Sequence, residues 1–121
     1  MISIDINKAA SYQNLDILKR LFRKDKWMSV EIQMDYNAQE GLPSEENAKH
    51  WPFKAWVVED GETYAIRIYS LTVGYGGTGP HDFASILDFF DLPYEEDDIF
   101  TKRRMSEDGF IHLKYSRYWK R

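Results

Sequence analysis

The residues with the clearest chemical potential form a glycine-rich run between a strand-like segment and a helix-like segment. Residues 74–80 read GYGGTGP and hold four of the seven glycines in the chain. Glycine adopts positive φ without steric cost and lets a ligand approach the backbone closely, and unpaired N–H groups at a helix N-terminus bind anions. The run therefore predicts either a strained turn or a contact surface built from main-chain N–H groups.

A nucleotide site is one hypothesis for this run. Its G-x-G-x-x-G spacing matches the dinucleotide fingerprint, and Glu95 and Glu96 lie near the offset of its acidic residue. The segment after these two residues has the pattern of a hairpin instead of a βαβ unit, however, and the lysine of a Walker loop is missing. Pro80 also lacks an amide donor, and Asp82 adds negative charge nearby. If a small anionic ligand or nucleotide binds here, we expect it to contact Gly76, Gly77, Thr78, Gly79 and His81, with Arg103, Arg104 and Arg117 as charge partners.

Residues 74–87 resemble a short motif of small uncharacterised bacterial and phage domains, in which G-Y-G-G-x-G-P opens an apolar helix. The resemblance implies a prokaryotic or mobile-element origin. It implies no activity, because those domains have no chemistry to carry over.

Other chemistry has little support in the sequence. His50, His81 and His112 lie in different predicted elements and the chain has no cysteine, so a zinc site would need ligands from distant segments. The adjacent carboxylates of residues 95–98 lack the alternating spacing and the glycine of a calcium loop, and no nucleophile elbow occurs. We therefore expect no metal, no cofactor and no catalytic set, with a hydrolase using His81 and Asp82 left as a third possibility.

Charge is distributed unevenly along the chain. Residues 1–100 carry 9 Lys and Arg against 18 Asp and Glu, whereas residues 101–121 carry 7 against 2. An acidic body with a basic C-terminal strip can orient a charged partner, but it is poorly suited to duplex nucleic acid. The strip interleaves cationic side chains with Tyr115, Tyr118 and Trp119. This pattern fits either a surface for single-stranded nucleic acid or a hairpin with one solvated face.

Hydrophobic periodicity predicts a single α+β domain over residues 1–121. Helices are expected at residues 14–24, with Asn14 as the N-cap, and at residues 80–91, with Pro80 in the first helical position. Strands are expected at residues 28–36, 53–59, 62–73, 99–105 and 110–119, with a tight hairpin at Asp60-Gly61 and a second hairpin joining the last two. This gives five or six mainly antiparallel strands, with two main helices packed on one face.

Composition favours surface recognition. The absence of cysteine, of a basic lead into an apolar segment and of a membrane-length apolar run predicts a cytoplasmic protein with no membrane contact. Aromatic residues make up 16% of the chain, enough for some to serve a partner. We predict a non-catalytic module that recognises and neutralises a macromolecule, most simply a protein, in the manner of immunity proteins or phage inhibitors. The predicted contact residues are Trp51, Trp56, Tyr75, Glu95, Glu96, Asp97 and Asp98.

Overall fold

The computed structural model describes residues 1–7, 9–23, 27–37, 52–73, 76–101 and 110–118, with the backbone alone for 35–37 and 110–112. Along the chain the elements are β1 Ile2–Ile6, α1 Ser11–Leu21, β2 Trp27–Asn37, β3 Phe53–Glu59, β4 Glu62–Ile68, α2 Thr78–Phe89, α3 Glu96–Phe100 and β5 Phe110–Tyr118. The described strands form one five-stranded sheet. The predicted α+β class is confirmed.

The sheet has the strand order β1-β4-β3-β2-β5. β1 pairs with β4 in parallel, and the other three pairings are antiparallel. The predicted hairpin between β3 and β4 is confirmed: Asp60 and Gly61 have φ values of 51° and 80°, and Glu59 lies opposite Glu62. Both turn residues therefore take the positive φ that matches the twist of the flanking strands.

One face of the sheet is apolar and carries the helices. A row across this face consists of Ile4, Ile66, Ala55, Ile32 and Tyr115. The spacing predicted for α2 is confirmed, because Phe83, Ile86, Leu87 and Phe90 are all fully buried in the core. Neighbouring strand residues point to the opposite face, where a row consists of Asp5, Arg67, Lys54, Gln33 and Lys114.

The start of α1 differs from the prediction. The helix begins at Ser11, and the Gln13 side-chain oxygen accepts a 2.8 Å hydrogen bond from the backbone N–H of Ala10, which occupies the N-cap position. Asn14 is therefore not the cap: it lies inside the helix, is fully buried, and donates to the Ser70 hydroxyl at 2.8 Å. The helix also ends earlier than predicted, at Leu21, which is 40% exposed instead of buried.

The second predicted hairpin is wrong where the structure describes it. Residues 99 and 100 belong to the short helix α3, and β5 pairs with β2. Acidic side chains at Glu96, Asp97 and Asp98 fill the first turn of α3, where the helix dipole favours negative charge, while Ile99 is buried in the core. The rest of that predicted strand, residues 102–105, lies outside the described residues.

Two further elements were misplaced or missed. Helix α2 begins at Thr78, so Pro80 is its third residue instead of its first. Strand β1 was not predicted. None of the described helices has both the length and the apolar character needed to cross a membrane.

Candidate functional site

A polar stripe runs along the side of α2 that faces α3. His81, Ser85 and Asp88 recur at i, i+4 and i+7, and none of them is buried, whereas Phe83 and Ile86 on the opposite side are fully buried in the core. The Ser85 hydroxyl donates a 3.0 Å hydrogen bond to the His81 carbonyl. The periodicity that buries one side of α2 thus leaves a polar side toward the next helix.

Helix α3 supplies the opposite wall. Ile99 anchors it in the core, and its acidic residues Glu96 and Asp97 stay exposed. The Phe100 ring lies 4.7 Å from the His81 ring, measured between centroids, at an angle of 52°. The Thr101 hydroxyl donates to the Asp97 carbonyl and closes the C-terminal end of the helix. The buried Ile99 side chain and the contact between the Phe100 and His81 rings therefore help to hold α3 against α2.

Between the two helices lies a groove of about 480 Å³, which we call the α2–α3 groove. It is lined by Gly76, His81, Ala84, Ser85, Asp88, Tyr94, Glu96, Asp97 and Phe100. The Tyr94 hydroxyl donates a long hydrogen bond, 3.4 Å, to the Asp88 carboxylate. Partial burial and the negative charge of Asp88 raise the pKa of the Tyr94 phenol above its ordinary value.

The groove is acidic. Three carboxylates, those of Asp88, Glu96 and Asp97, line it, and the described lining residues include no lysine or arginine. An adjoining depression shares Asp88 and Tyr94 and adds Asp91 and Arg117, whose Nη1 and Oδ2 atoms lie 2.5 Å apart. The two hollows together hold four carboxylates against one guanidinium, so their combined field attracts cations.

Among the described residues predicted to bind a small ligand, Arg117 lies apart from the others. Gly76 and His81 line the groove, while Gly77 is the N-cap of α2 and Thr78 and Gly79 are its first residues. Arg117 contacts Asp91, just beyond the other end of α2, and a helix of 12 residues is about 18 Å long. Arg103 and Arg104 lie outside the described residues.

The glycine run needs no unusual backbone at the positions described. Gly77 is extended, with φ −177°. A Cβ atom added to Gly76 would meet nothing within 4 Å, and among the described glycines only Gly61 has positive φ. The His81 N–H is already bonded to the Gly77 carbonyl at 3.2 Å, and Pro80 has no N–H, so few donors are left for an anion.

The predicted partner-contact residues divide between two sides of the sheet. Glu95 immediately precedes α3, and Glu96, Asp97 and Asp98 form its first turn, all on the helix side. Trp56 lies half-buried on the opposite face, at the centre of the row that includes Ala65 and Glu31. Trp51 and Tyr75 lie outside the described residues. Glu96 and Asp97 are the members of the predicted set that line a groove.

The residues proposed for hydrolysis also point apart. His81 contacts Phe100, whereas the Asp82 carboxylate accepts a 2.7 Å hydrogen bond from the Ser11 hydroxyl and links α2 to α1. Within the described ranges, no group of three or more His, Asp or Glu side chains is arranged to hold a metal ion. Sequence reasoning missed Asp88 and Tyr94, although the i, i+4, i+7 polar spacing on α2 was a usable signal for Asp88.

No family model matches this chain, and comparisons with curated proteins and with solved structures find no match either. The resemblance of residues 74–87 to bacterial and phage domains stays a prediction. Function must be inferred from the groove itself.

Proposed function

We propose that this domain is a non-catalytic binding module that captures a basic segment of another protein in the α2–α3 groove. Capture of such a segment would neutralise the partner, as in immunity proteins and phage inhibitors. The cysteine-free composition suits a cytoplasmic setting.

The observation that carries the proposal is the lining of the groove. Asp88, Glu96 and Asp97 supply negative charge, and Tyr94 and Phe100 supply aromatic surface. A lysine or arginine side chain gains from both, because carboxylates pair with its charge and aromatic faces attract cations. Complementary fields also speed the encounter of the two proteins, while a few buried anchors set the affinity.

The same lining disfavours the alternative, a small anionic ligand or nucleotide at the glycine run. A phosphate placed beside Gly76 would share the groove with Glu96 and Asp97. Repulsion between like charges at short range would weaken its binding. The described lining of the groove includes no lysine or arginine that could compensate. Binding of a nucleotide in place of a basic peptide is therefore one outcome that the experiment must distinguish.

The test uses a fluorescein-labelled hexa-arginine peptide and measures binding by fluorescence anisotropy. The groove variant combines Glu96→Gln with Asp97→Asn. The matched control combines Asp16→Asn with Asp60→Asn, which removes the same charge from two exposed positions, one on α1 and one in the β3–β4 turn. We expect the groove variant to raise the Kd at least about fivefold, and the control to stay within about twofold.

Equal losses in the two variants would mean that the peptide responds only to net charge, and the proposal would fail. A thermal-shift series with adenine and guanine nucleotides runs in parallel, because a ligand selective for the native state raises its Tm. A nucleotide that raises the Tm of the wild-type chain, while the peptide fails to bind, would favour the small-ligand alternative.

A further inference from the structure

Strand β1 forms one edge of the sheet. It pairs with β4, and no strand among the described residues pairs with its outer side. The Ile6 carbonyl accepts a 3.0 Å hydrogen bond from the Tyr69 N–H, just beyond β4. Backbone groups alternate in direction along a parallel strand, so Ile2, Ile4 and Ile6 bond toward β4. Ser3 and Asp5 therefore direct their N–H and C=O groups outward.

This edge lacks three common features that hinder pairing with another chain. Edge strands commonly carry a lysine, a proline or a bulge. The β1 sequence ISIDI has none of these, and its register with β4 is regular over all five positions. Its single charge, Asp5, forms two hydrogen bonds with Arg67, of 2.6 and 2.8 Å. By contrast, β5 at the other edge carries Lys114 and Arg117.

We propose that β1 pairs in antiparallel orientation with β1 of a second copy of this chain, about a twofold axis at Ile4. In this register Ile4 faces Ile4 of the second copy, Ile2 faces Ile6, and Ser3 faces Asp5. Each Ser3–Asp5 pair exchanges two backbone hydrogen bonds, which satisfies the outward groups. The isoleucine rows of the two sheets then continue across the axis on the helix side.

Other registers fit less well. An axis at Asp5 would place the two Asp5 residues opposite each other, and like charges directly opposite destabilise a strand pair. An axis at Ser3 would leave Ile6 with no isoleucine opposite it. A shift by one residue would place the isoleucines of one copy on the same face as Ser3 and Asp5 of the other copy. The twofold axis at Ile4 avoids all three costs.

The interface is small, so the association is expected to be weak. A strand of five residues buries less than the about 1,200 Å² typical of stable complexes. We expect a dimer with a micromolar or weaker Kd. Phe83 of α2 packs against Tyr115 of β5, and Arg117 of β5 contacts Asp91 just beyond α2, so the α2–α3 groove lies toward the end of the strand order opposite β1. The dimer therefore leaves the groove open, and the two proposals fail independently.

Sedimentation velocity from micromolar to millimolar concentration measures the association. Ile2→Lys places a protective charge on the edge, and Ile2 is 44% exposed, so the fold tolerates the change. We expect it to raise the dimer Kd at least about tenfold. The matched control is Tyr118→Lys at the β5 edge, where Tyr118 is 71% exposed, and it should leave the Kd unchanged. A wild-type chain that stays monomeric, or an equal effect of the two variants, overturns the proposal.

Cysteine cross-linking tests the register, since the chain has no cysteine of its own. Facing Ile4 residues form a non-hydrogen-bonded pair with Cα atoms about 4.5 Å apart, within the range of a disulfide. Oxidation of the Ile4→Cys variant should therefore give a covalent dimer. Ser3→Cys is the control, because it faces its own copy only if the axis lies at Ser3. Faster cross-linking of Ser3→Cys, or none in either variant, contradicts the proposed pairing.

Discussion

The Arg117 guanidinium holds Asp91 by both its backbone carbonyl and its carboxylate, each 2.5 Å from Nη1. Asp91 has φ 56° and follows the end of α2. Its N–H bonds to the Asp88 carbonyl, and the Leu92 N–H bonds to the Leu87 carbonyl, which is the Schellman pattern that usually has glycine at the left-handed position. An arginine from β5 thus supports a helix end that lacks the usual residue.

Loss of this support should destabilise the fold. We expect Arg117→Gln to lower the free energy of unfolding by about 1 kcal/mol, because a charged hydrogen bond and an ion pair are removed together. Urea denaturation measures the change. The control is Lys114→Gln on the opposite face of β5, where Lys114 and Glu31 form a single exposed pair at 2.8 Å, and its effect should be smaller. Equal effects would mean that Arg117 does not brace the helix end.

Gly61 and Gly76 lie in described loops and should respond differently to alanine. At Gly61, with φ 80°, alanine would be forced into the left-handed region at a cost of about 1–2 kcal/mol. At Gly76 a methyl group meets open space and φ is outside that region, so alanine should be neutral or stabilise the fold by up to about 1 kcal/mol. Thermal unfolding of the two variants provides the measurement. A strongly destabilised Gly76→Ala variant would restore the strained-turn interpretation of the glycine run.

Much of the fold could be predicted because its signals are local. The Asp60-Gly61 turn and the apolar spacing of α2 each depend on neighbours within a few residues. β1 escaped prediction because its parallel pairing joins Ile2 to Tyr64, far along the chain. The partner of β5 escaped for the same reason, since a hairpin with the preceding segment was the locally plausible choice.

The candidate site was predicted only in part. The acidic residues that form the first turn of α3 were predicted to contact a partner, but the groove also includes Asp88 and Tyr94, which precede that helix. The shape of the groove depends on residues 96–100 forming a helix. The sequence instead predicted a strand that begins at residue 99, directly after the acidic run. Because Ile99 lies in a helix and not in the predicted strand, the acidic residues before it form one wall of a groove.

Asn14 offers a test of how α1 is joined to the segment after β4. Its Nδ2 donates to the Ser70 hydroxyl at 2.8 Å, while its buried Oδ1 accepts no hydrogen bond. We expect Asn14→Ala to cost about 1–3 kcal/mol, since the Ser70 hydroxyl loses its partner in a partly buried setting. A double-mutant cycle with Ser70→Ala, measured by urea denaturation, isolates the pair. A coupling energy near zero would show that the amide acts through packing alone.

Tyr94 should report on both pH and partner binding. Burial and the Asp88 charge raise its pKa, so its contribution to stability is fully present below about pH 10, the ordinary value for tyrosine, and is lost as pH rises through the higher folded-state value. The tyrosinate absorbance of the wild-type chain minus that of Tyr94→Phe follows this single group. Asp88→Asn should lower the pKa of Tyr94, because the neighbouring negative charge is removed.

A bound cation should lower the pKa of Tyr94, as Asp88→Asn should. The hexa-arginine peptide places positive charge near the phenol, which favours the phenolate and so lowers the pKa of Tyr94. By linkage, deprotonation of Tyr94 must then strengthen peptide binding as pH rises through its titration. Because arginine keeps its charge throughout this range, the peptide adds no titration of its own. A peptide that binds without shifting the Tyr94 titration would have to lie outside the α2–α3 groove.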